Sequence, residues 1–167
     1  MPEIVAITPH MSDLYKEVRL HALQTDPSAF CSTYAREAQF TDEVWHERSA
    51  SLDGDKKIGF LAMEAGKPCG LVACFRDEEA STSAHVISMW VAPSHRGTGL
   101  SAALINAIHA WAQTRGITTL LLGVISNNAA AIKFYERYGF TRTGVREPYR
   151  NDASLFEVEM SMPTASA

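Results

Sequence analysis

The stretch that decides the fold of this chain reads His85-Val-Ile-Ser-Met-Trp-Val91-Ala-Pro-Ser-His-Arg96-Gly97-Thr98-Gly99-Leu100-Ser101. The apolar run before the proline predicts a strand, and the apolar stripe that begins at Leu100 predicts a helix. The loop between them opens into the helix N terminus, where backbone amides lack partners and the helix dipole is positive. Gly97 and Gly99 let a ligand approach the backbone, and Arg96 adds a positive charge. The stretch therefore predicts a phosphate or pyrophosphate site, although a tight turn would also require small residues here.

The phosphate-binding patterns of two common nucleotide folds do not fit this loop. The dinucleotide pattern Gly-x-Gly-x-x-Gly fails at Ala102, and no Gly-Lys-Ser/Thr sequence follows. We therefore expect this chain to bind a phosphorylated ligand with a fold that differs from these two.

A second pattern follows a buried strand further along the chain. Asn128, Ala131 and Tyr135 stand at i, i+3 and i+7, so one helical face presents all three. Asn127 and Asn128 are both candidate caps of this helix, and Gly139 is placed to end it.

The two segments together resemble motifs A and B of the GNAT superfamily of acyl-CoA-dependent N-acyltransferases. The pattern similar to motif A is Val91-x-Pro93-x-x-Arg96-Gly97-x-Gly99, followed by Ser101 where relatives have Gly or Ala. The pattern similar to motif B is Asn128-x-x-Ala131-x-x-x-Tyr135-x-x-x-Gly139-Phe140. The resemblance implies an acetyltransferase that uses acetyl-CoA as cosubstrate.

The resemblance also implies how coenzyme A is held. Loop amides would bind its pyrophosphate, Asn128 would contact the pantetheine arm, and the small Ala131 would let that arm pass. Tyr135 would lie near the thioester sulfur and protonate the departing thiolate, since a phenol with a pKa of about 10 can donate to it. The residues expected to bind the cosubstrate are Trp90, Val91, Arg96, Gly97, Thr98, Gly99, Leu100, Ser101, Ala102, Asn128, Ala131 and Tyr135.

Periodicity and breaker residues predict a mixed order of elements over the rest of the chain. Strands are expected at 3–8, 58–64, 69–76, 85–91, 118–125, 141–146 and 155–162, and helices at 12–24, within 35–49, at 100–115 and from 127 or 128 to about 138. The fold implied by the resemblance is a GNAT-type α/β fold. It has a central mixed, mostly antiparallel sheet of about seven strands, splayed between the fourth and fifth and flanked by about four helices. We expect one domain over residues 1–167.

Composition disfavours several other classes. The net charge is −4 and no Lys/Arg tract occurs, so no nucleic-acid partner is expected. The start lacks a secretory signal, and no apolar stretch reaches the ~20 residues that span a bilayer. Cys31, Cys69 and Cys74 have no CxxC spacing, which favours reduced thiols in a cytoplasmic protein. The histidines show no metal-ligand spacing, so no metal is expected.

The group that takes the proton from the attacking amine has several candidates. Some relatives that modify protein N termini carry a Glu five residues before the Asn of motif B, but this chain has Gly123 there. His85 lies where histone-type relatives carry a Glu, and imidazole titrates near neutrality. Glu37 is a second candidate, and water with no dedicated base is a third.

The acceptor is expected to be a primary amine of a small molecule, attacked directly in a ternary complex. Residues expected at the acceptor site are Phe30, Glu37, Trp90 and Tyr149, with Tyr34 and Trp45 as further candidate walls. Core packing is the alternative for each aromatic residue. Acetylation of protein N termini or lysines, and a non-catalytic acyl-CoA-binding module, stay open as alternatives. The resemblance leaves a homodimer open as well.

Overall fold

The computed structural model of the protein describes residues 2–164. Its strands are β1 (Glu3–Ala6), β2 (Lys57–Glu64), β3 (Lys67–Arg76), β4 (Ser83–Val91), β5 (Thr119–Ile125), β6 (Thr141–Tyr149) and β7 (Asp152–Pro163). Its helices are α1 (Ser12–Thr25), α2 (Tyr34–Glu37), α3 (Asp42–Ser51), α4 (Leu100–Thr114) and α5 (Ala129–Tyr138). This order confirms the mixed α/β class, with one helix more than the sequence predicted.

The additional helix arises because the segment 35–49 carries two N-caps instead of one. The Oγ1 atom of Thr33 accepts a hydrogen bond of 3.2 Å from the amide of Arg36, which starts α2. The Oγ1 atom of Thr41 accepts one of 3.3 Å from the amide of Val44, which starts α3. Each cap satisfies an amide that a helix start leaves without a partner, so the segment divides into two short helices.

The strands form one sheet in the order β1-β2-β3-β4-β5-β7-β6. Neighbours are antiparallel except for β4 and β5, which are parallel. The β4–β5 ladder ends where His85 pairs with Leu121. Beyond this pair, β4 continues to Val91 and β5 to Ile125 without pairing to each other, so a V-shaped cleft opens between them. The splay predicted between the fourth and fifth strands is confirmed.

A β-bulge interrupts the β3–β4 ladder beside the cleft. Leu71 pairs with Trp90 while Ala73 pairs with Ile87, so β4 carries one more residue than β3 over this interval. Ser88 lies in the bulged part of β4. Its φ of 59° is a left-handed conformation that is uncommon for a residue with a side chain. Bulges bend a strand and increase its twist, which accounts for the divergence of β4 from β5.

Apolar cores cover both faces of the sheet. Helix α4 buries Leu104, Ile105 and Ile108 completely on one face, where α5 also packs. Helices α1 and α3 bury Leu23 and Trp45 on the other. Complete burial of one such aliphatic side chain contributes about 1.5–3 kcal/mol to the free energy of folding. Both faces of the sheet are thus held in place around the cleft.

Candidate active site

Three neighbouring cavities that share lining residues lie along the β4–β5 cleft. The loop cavity, about 410 Å³, adjoins the turn before α4, and its lining includes Trp90, Val91, Arg96, Gly97 and Ser101. The central cavity, about 100 Å³, shares with the loop cavity the residues Met89, Asn128, Ala131 and Tyr135. The hairpin cavity, about 240 Å³, adjoins β6 and β7 and shares with the central cavity Leu122, Gly123 and Glu157. The three cavities therefore follow one another from the N terminus of α4 to the β6–β7 hairpin.

The turn before α4 leaves a row of backbone amides free. The first main-chain hydrogen bond of the helix joins the amide of Ala103 to the carbonyl of Gly99, at 3.1 Å. Within residues 2–164, no hydrogen-bond acceptor is found for the amides of Gly97, Thr98, Gly99, Leu100, Ser101 and Ala102. A Cβ placed on Gly97 or Gly99 would meet nothing within 4 Å, so the space beside this turn is open. Free amides at a helix N terminus fit the pyrophosphate of coenzyme A.

Two residues predicted to bind the cosubstrate can offer it their main chains rather than their side chains. The side chain of Leu100 lies in the core and is 1% exposed, so only its amide is free for a ligand. The hydroxyl of Thr98 donates to the carbonyl of His95, which closes the turn on itself. The turn therefore offers a ligand mostly backbone groups, as its glycines predict.

Arg96 is already oriented by two acceptors beside the loop cavity. Its Nε donates to the carbonyl of Val91 at 3.0 Å, and its Nη2 donates to Oδ2 of Asp26 at 2.7 Å. The indole nitrogen of Trp90 donates to the same Oδ2 atom at 2.7 Å. Burial alone would raise the pKa of Asp26, but the hydrogen bonds from Trp90 and Arg96 lower it below its usual range. Asp26 thus stays charged and holds Arg96 against the rim of the cavity.

The face of α5 predicted to meet the cosubstrate does line the cleft. The Oδ1 atom of Asn128 accepts a hydrogen bond of 3.2 Å from the amide of Ala131, so Asn128 rather than Asn127 caps the helix. The cap uses the side-chain oxygen of Asn128, which leaves its NH2 group free to donate to a ligand. Ala131 lines both the loop and central cavities, where a larger side chain would narrow the passage.

Tyr135 lies where the loop cavity meets the central cavity. Its ring packs edge-on against Phe134 and Phe140, with centroids 5.2 and 5.6 Å away, and the residue is buried. Its hydroxyl has no hydrogen-bond partner among the described side chains and main-chain groups. Burial raises the pKa of Tyr135 well above its usual value, so the phenol stays protonated at neutral pH and can donate a proton.

His85 lies at the closed end of the cleft, in the last β4–β5 pair. Its Nε2 atom is 2.8 Å from Oδ2 of Asp77, and its ring stacks on Phe75 at 4.9 Å. The hydrogen bond from His85, together with those from the amides of Ala80 and Glu79, lowers the pKa of Asp77 to about 2. His85 lines the hairpin cavity but not the central cavity. Its role as a base stays a prediction, and its partner Asp77 fixes the ring.

The structure places Glu37 in a buried ion-pair cluster outside the three cavities. Its Oε1 and Oε2 atoms accept hydrogen bonds of 3.0 and 2.9 Å from Arg19, and Arg48 adds a third of 3.0 Å. Arg19 also donates to the hydroxyl of Ser88 at 2.8 Å, so the cluster supports the bulge in β4. Burial would raise the pKa of Glu37, yet the hydrogen bonds and charge of Arg19, with the charge of Arg48, lower it to about 2. A carboxylate so strongly held is a poor proton acceptor, which favours a structural role.

We expect Glu37→Gln to lower the free energy of unfolding by about 3–5 kcal/mol at pH 7, because it leaves two guanidinium groups short of a buried counter-charge. The folded-state pKa of Glu37 is about 2 and its ordinary value is 4.5, so its stabilisation is complete above pH 4.5 and is lost as the pH falls towards 2. Urea unfolding of the wild-type protein and of Glu37→Gln should therefore show a difference in the free energy of unfolding that becomes smaller in acid. Exposed Glu17 gives the matched control, Glu17→Gln, which should change stability by less than about 0.5 kcal/mol. A similar small change for Glu37→Gln would contradict this role.

The aromatic residues predicted for the acceptor site have different positions. Phe30 lines the central cavity, and its carbonyl accepts a hydrogen bond of 2.9 Å from the hydroxyl of Tyr149. Tyr149 itself is buried and ties the β6–β7 hairpin to this segment. Trp90 lines the loop cavity, on the cosubstrate side of the cleft. Trp45 is 1% exposed in the core and Tyr34 is 39% exposed, and neither lines the three cavities.

The acidic residues of the cleft were not singled out from the sequence. Asp26 belongs to an Asp-Pro-Ser run directly after the helix predicted at 12–24, where such residues indicate only that a helix ends. Glu157 and Glu159 alternate along the last strand, and a period of two puts both on one face. That alternation was the available signal, but only the sheet order shows that the face borders the cleft.

Neither a metal cluster nor a membrane-crossing helix is found in the described chain. Between residues 2 and 164, no group of three His, Cys, Asp or Glu side chains is placed to hold a metal ion. No helix in this range is long and apolar enough to cross a bilayer.

Comparison with known proteins agrees with this geometry. The family model for the acetyltransferase (GNAT) family matches residues 19–140. Over 125 residues the chain is 30% identical to ribosomal protein bS18-alanine N-acetyltransferase of Escherichia coli (strain K12), covering 71% of this chain and 82% of that protein. Its fold is similar to that of yncA from Salmonella typhimurium, solved with its cofactor acetyl-CoA, at a TM-score of 0.81, 18% identity and coverage of 100% and 96%. Nourseothricin acetyltransferase is similar at a TM-score of 0.61 and 31% identity, over 66% of each chain.

Proposed function

Because this chain belongs to the acetyltransferase (GNAT) family, we propose that it transfers the acetyl group of acetyl-CoA to a primary amine of a small cationic molecule. The enzyme is an acyltransferase, and acetyl-CoA is its cosubstrate. The proposed reaction is direct attack of the amine on the thioester while both substrates are bound. The observation that carries the choice of acceptor is the charge of the hairpin cavity.

Three carboxylates line the hairpin cavity, from Glu147, Glu157 and Glu159. Two basic side chains line it as well, and each has another partner. Arg146 lies over the ring of Phe156, with its guanidinium carbon 4.5 Å from the centroid, and His85 is bonded to Asp77. A cavity lined mostly by negative charge attracts a cation, and an alkyl ammonium group is a cation at neutral pH.

The cleft supplies the other requirements of acetyl transfer. The turn before α4 would hold the pyrophosphate, and the passage past Ala131 would admit the pantetheine arm to the central cavity. The edge of β4 beyond His85 has no partner on β5, so its amides are free to polarise the thioester carbonyl and stabilise an oxyanion. Tyr135 would donate the proton that the leaving thiolate needs.

A thiol-release screen over amines tests this proposal. With acetyl-CoA present, we expect saturable release of free thiol with polyamines or with aminoglycoside-type amines, and little with neutral or acidic amines. Raising the ionic strength should increase KM for the amine, because salt screens the attraction to the hairpin cavity. Equal turnover of cationic and acidic amines would contradict the proposed acceptor class.

Acetylation of protein N termini is the second candidate. The similarity to the alanine N-acetyltransferase of Escherichia coli favours it, because that match covers 82% of the relative. The screen should therefore include a short peptide with an N-terminal alanine, with the same peptide already acetylated as its control. Turnover of the free peptide together with no turnover of any small amine would favour this candidate over the first.

A further inference from the structure

We infer that Glu157 is the catalytic base that accepts the proton of the attacking amine, an inference that rests on the proposed acetyl transfer. Glu157 lies on β7 and lines both the central and the hairpin cavity. Within residues 2–164, it is the one carboxylate that lines the central cavity. Tyr135 lines the same small cavity and also the loop cavity. A proton acceptor and a proton donor thus line the same small cavity between the proposed amine and thioester sites.

The carboxylate of Glu157 occupies the space that a side chain at position 123 of the neighbouring strand β5 would fill. A Cβ built on Gly123 would collide with Oε1 of Glu157 and would lie 2.7 Å from its Cγ and Cδ atoms. Gly123 lies two residues beyond Leu121, the last residue of β5 that pairs with β4, so this space is at the opening of the cleft. Only a residue without a side chain at 123 lets Glu157 reach over β5.

Glu157 is also free to accept a proton. Its one side-chain hydrogen-bond partner in the described chain is the thiol of Cys31, a weak donor, with Sγ 3.5 Å from Oε2. By contrast, Asp26 is held by Trp90 and Arg96. The charged and titratable groups that line the cavities on either side of Glu157 are Cys31, His85, Arg146, Glu147, Glu159 and Tyr135.

The reaction balances with these two groups. The bound ammonium first gives one proton through Glu157 to solvent, which leaves a free amine. As the amine nitrogen forms its bond to the thioester carbonyl carbon, Glu157 accepts the second proton from that nitrogen, directly or through one water. The C–S bond then breaks, the sulfur leaves with the electron pair, and it takes the proton of the Tyr135 hydroxyl. Solvent returns a proton to Tyr135 and removes one from Glu157, so the products are the amide and free coenzyme A.

Glu157→Gln tests the assignment because it removes the basic oxygen and keeps the shape. We expect kcat to fall at least tenfold at pH 7, with the affinity for acetyl-CoA unchanged in calorimetry. The deficit should shrink as the pH rises towards the pKa of the amine, because a free amine needs less help from a base. Glu136→Gln, at an exposed position of α5, removes the same charge away from the cleft and should keep wild-type kcat.

A carboxylate exchange between the two strands separates catalysis from structure. Glu157→Gly alone should lower kcat. Adding Gly123→Glu should raise kcat at least tenfold above that of Glu157→Gly, because the new carboxylate enters the same space from β5. Rescue of kcat by the double variant would support the base. A merely structural role of Glu157 predicts no rescue.

Three outcomes would overturn the inference while the wild-type protein still binds acetyl-CoA and turns over an amine. In the first, Glu157→Gln raises KM for the amine and leaves kcat unchanged, which would make Glu157 a binding residue. In the second, His85→Gln produces the pH-dependent loss of kcat and Glu157→Gln does not. In the third, Glu157→Gln has full activity at every pH. Absence of turnover in the wild-type protein would instead count against the proposed function.

Discussion

Gly99→Asp is expected to abolish acetyl-CoA binding. Gly99 begins α4 with a φ of 87°, and a side chain there would extend into the open space in front of the free amides. An aspartate would place a negative charge where the pyrophosphate of the cosubstrate is expected, and two like charges about 4 Å apart repel each other by about 4 kcal/mol near a protein surface. That repulsion alone corresponds to a loss of affinity of nearly a thousandfold. Isothermal calorimetry with acetyl-CoA measures it.

Two further variants separate charge from backbone strain. Gly99→Ala adds a Cβ in the same left-handed conformation without a charge, so we expect a much smaller loss of affinity. Gly116→Asp places the same residue in the turn after α4, where φ is 69° and the space is equally open, at the opposite end of that helix from Gly99. It should bind acetyl-CoA like the wild-type protein. If Gly99→Asp binds acetyl-CoA with unchanged affinity, the pyrophosphate does not bind at this turn.

Tyr135→Phe is expected to lower kcat about a hundredfold, the lower end of what a positioned proton donor contributes. The variant keeps the ring that packs against Phe134 and Phe140, so the fold and the affinity for acetyl-CoA should be retained. Its effect should appear in kcat because the hydroxyl acts when the thiolate leaves. Steady-state kinetics and calorimetry on the same preparation separate the two quantities.

Tyr138 provides the matched control for this substitution. It lies on the same helix and donates a hydrogen bond of 2.6 Å to Asn106, away from the three cavities. Tyr138→Phe therefore removes a hydroxyl from α5 without touching the cleft, and kcat should stay at the wild-type level. Full activity in Tyr135→Phe would mean that the thiolate leaves without this acid.

The strands, the cleft and the cosubstrate side of the site could be predicted because they depend on local sequence. The glycines of the turn, the apolar stripe of α4 and the spacing of Asn128, Ala131 and Tyr135 each specify geometry within one or two elements. One helix was predicted within 35–49, but the structure has two, because Thr33 and Thr41 each cap a separate helix. That difference leaves the β4–β5 cleft where it was predicted.

The acceptor side could not be predicted to the same degree, because its residues meet only through tertiary contacts. Glu37 was one candidate for the base and an expected acceptor-site residue, and its buried position opposite Arg19 favours a role in supporting the β4 bulge. Glu157 reaches the cleft from β7, and its access depends on the absence of a side chain on Gly123. Such contacts between distant positions follow from the sheet order and leave no motif in the sequence.

The most direct test of this account is a calorimetric titration of acetyl-CoA into the wild-type protein and into Gly99→Asp. We predict saturable binding at one site per chain in the wild-type protein and none in the variant. Saturable binding that is equal in both proteins would contradict the placement of the site in the β4–β5 cleft. No binding of acetyl-CoA to the wild-type protein would contradict the assignment of acetyl transfer itself.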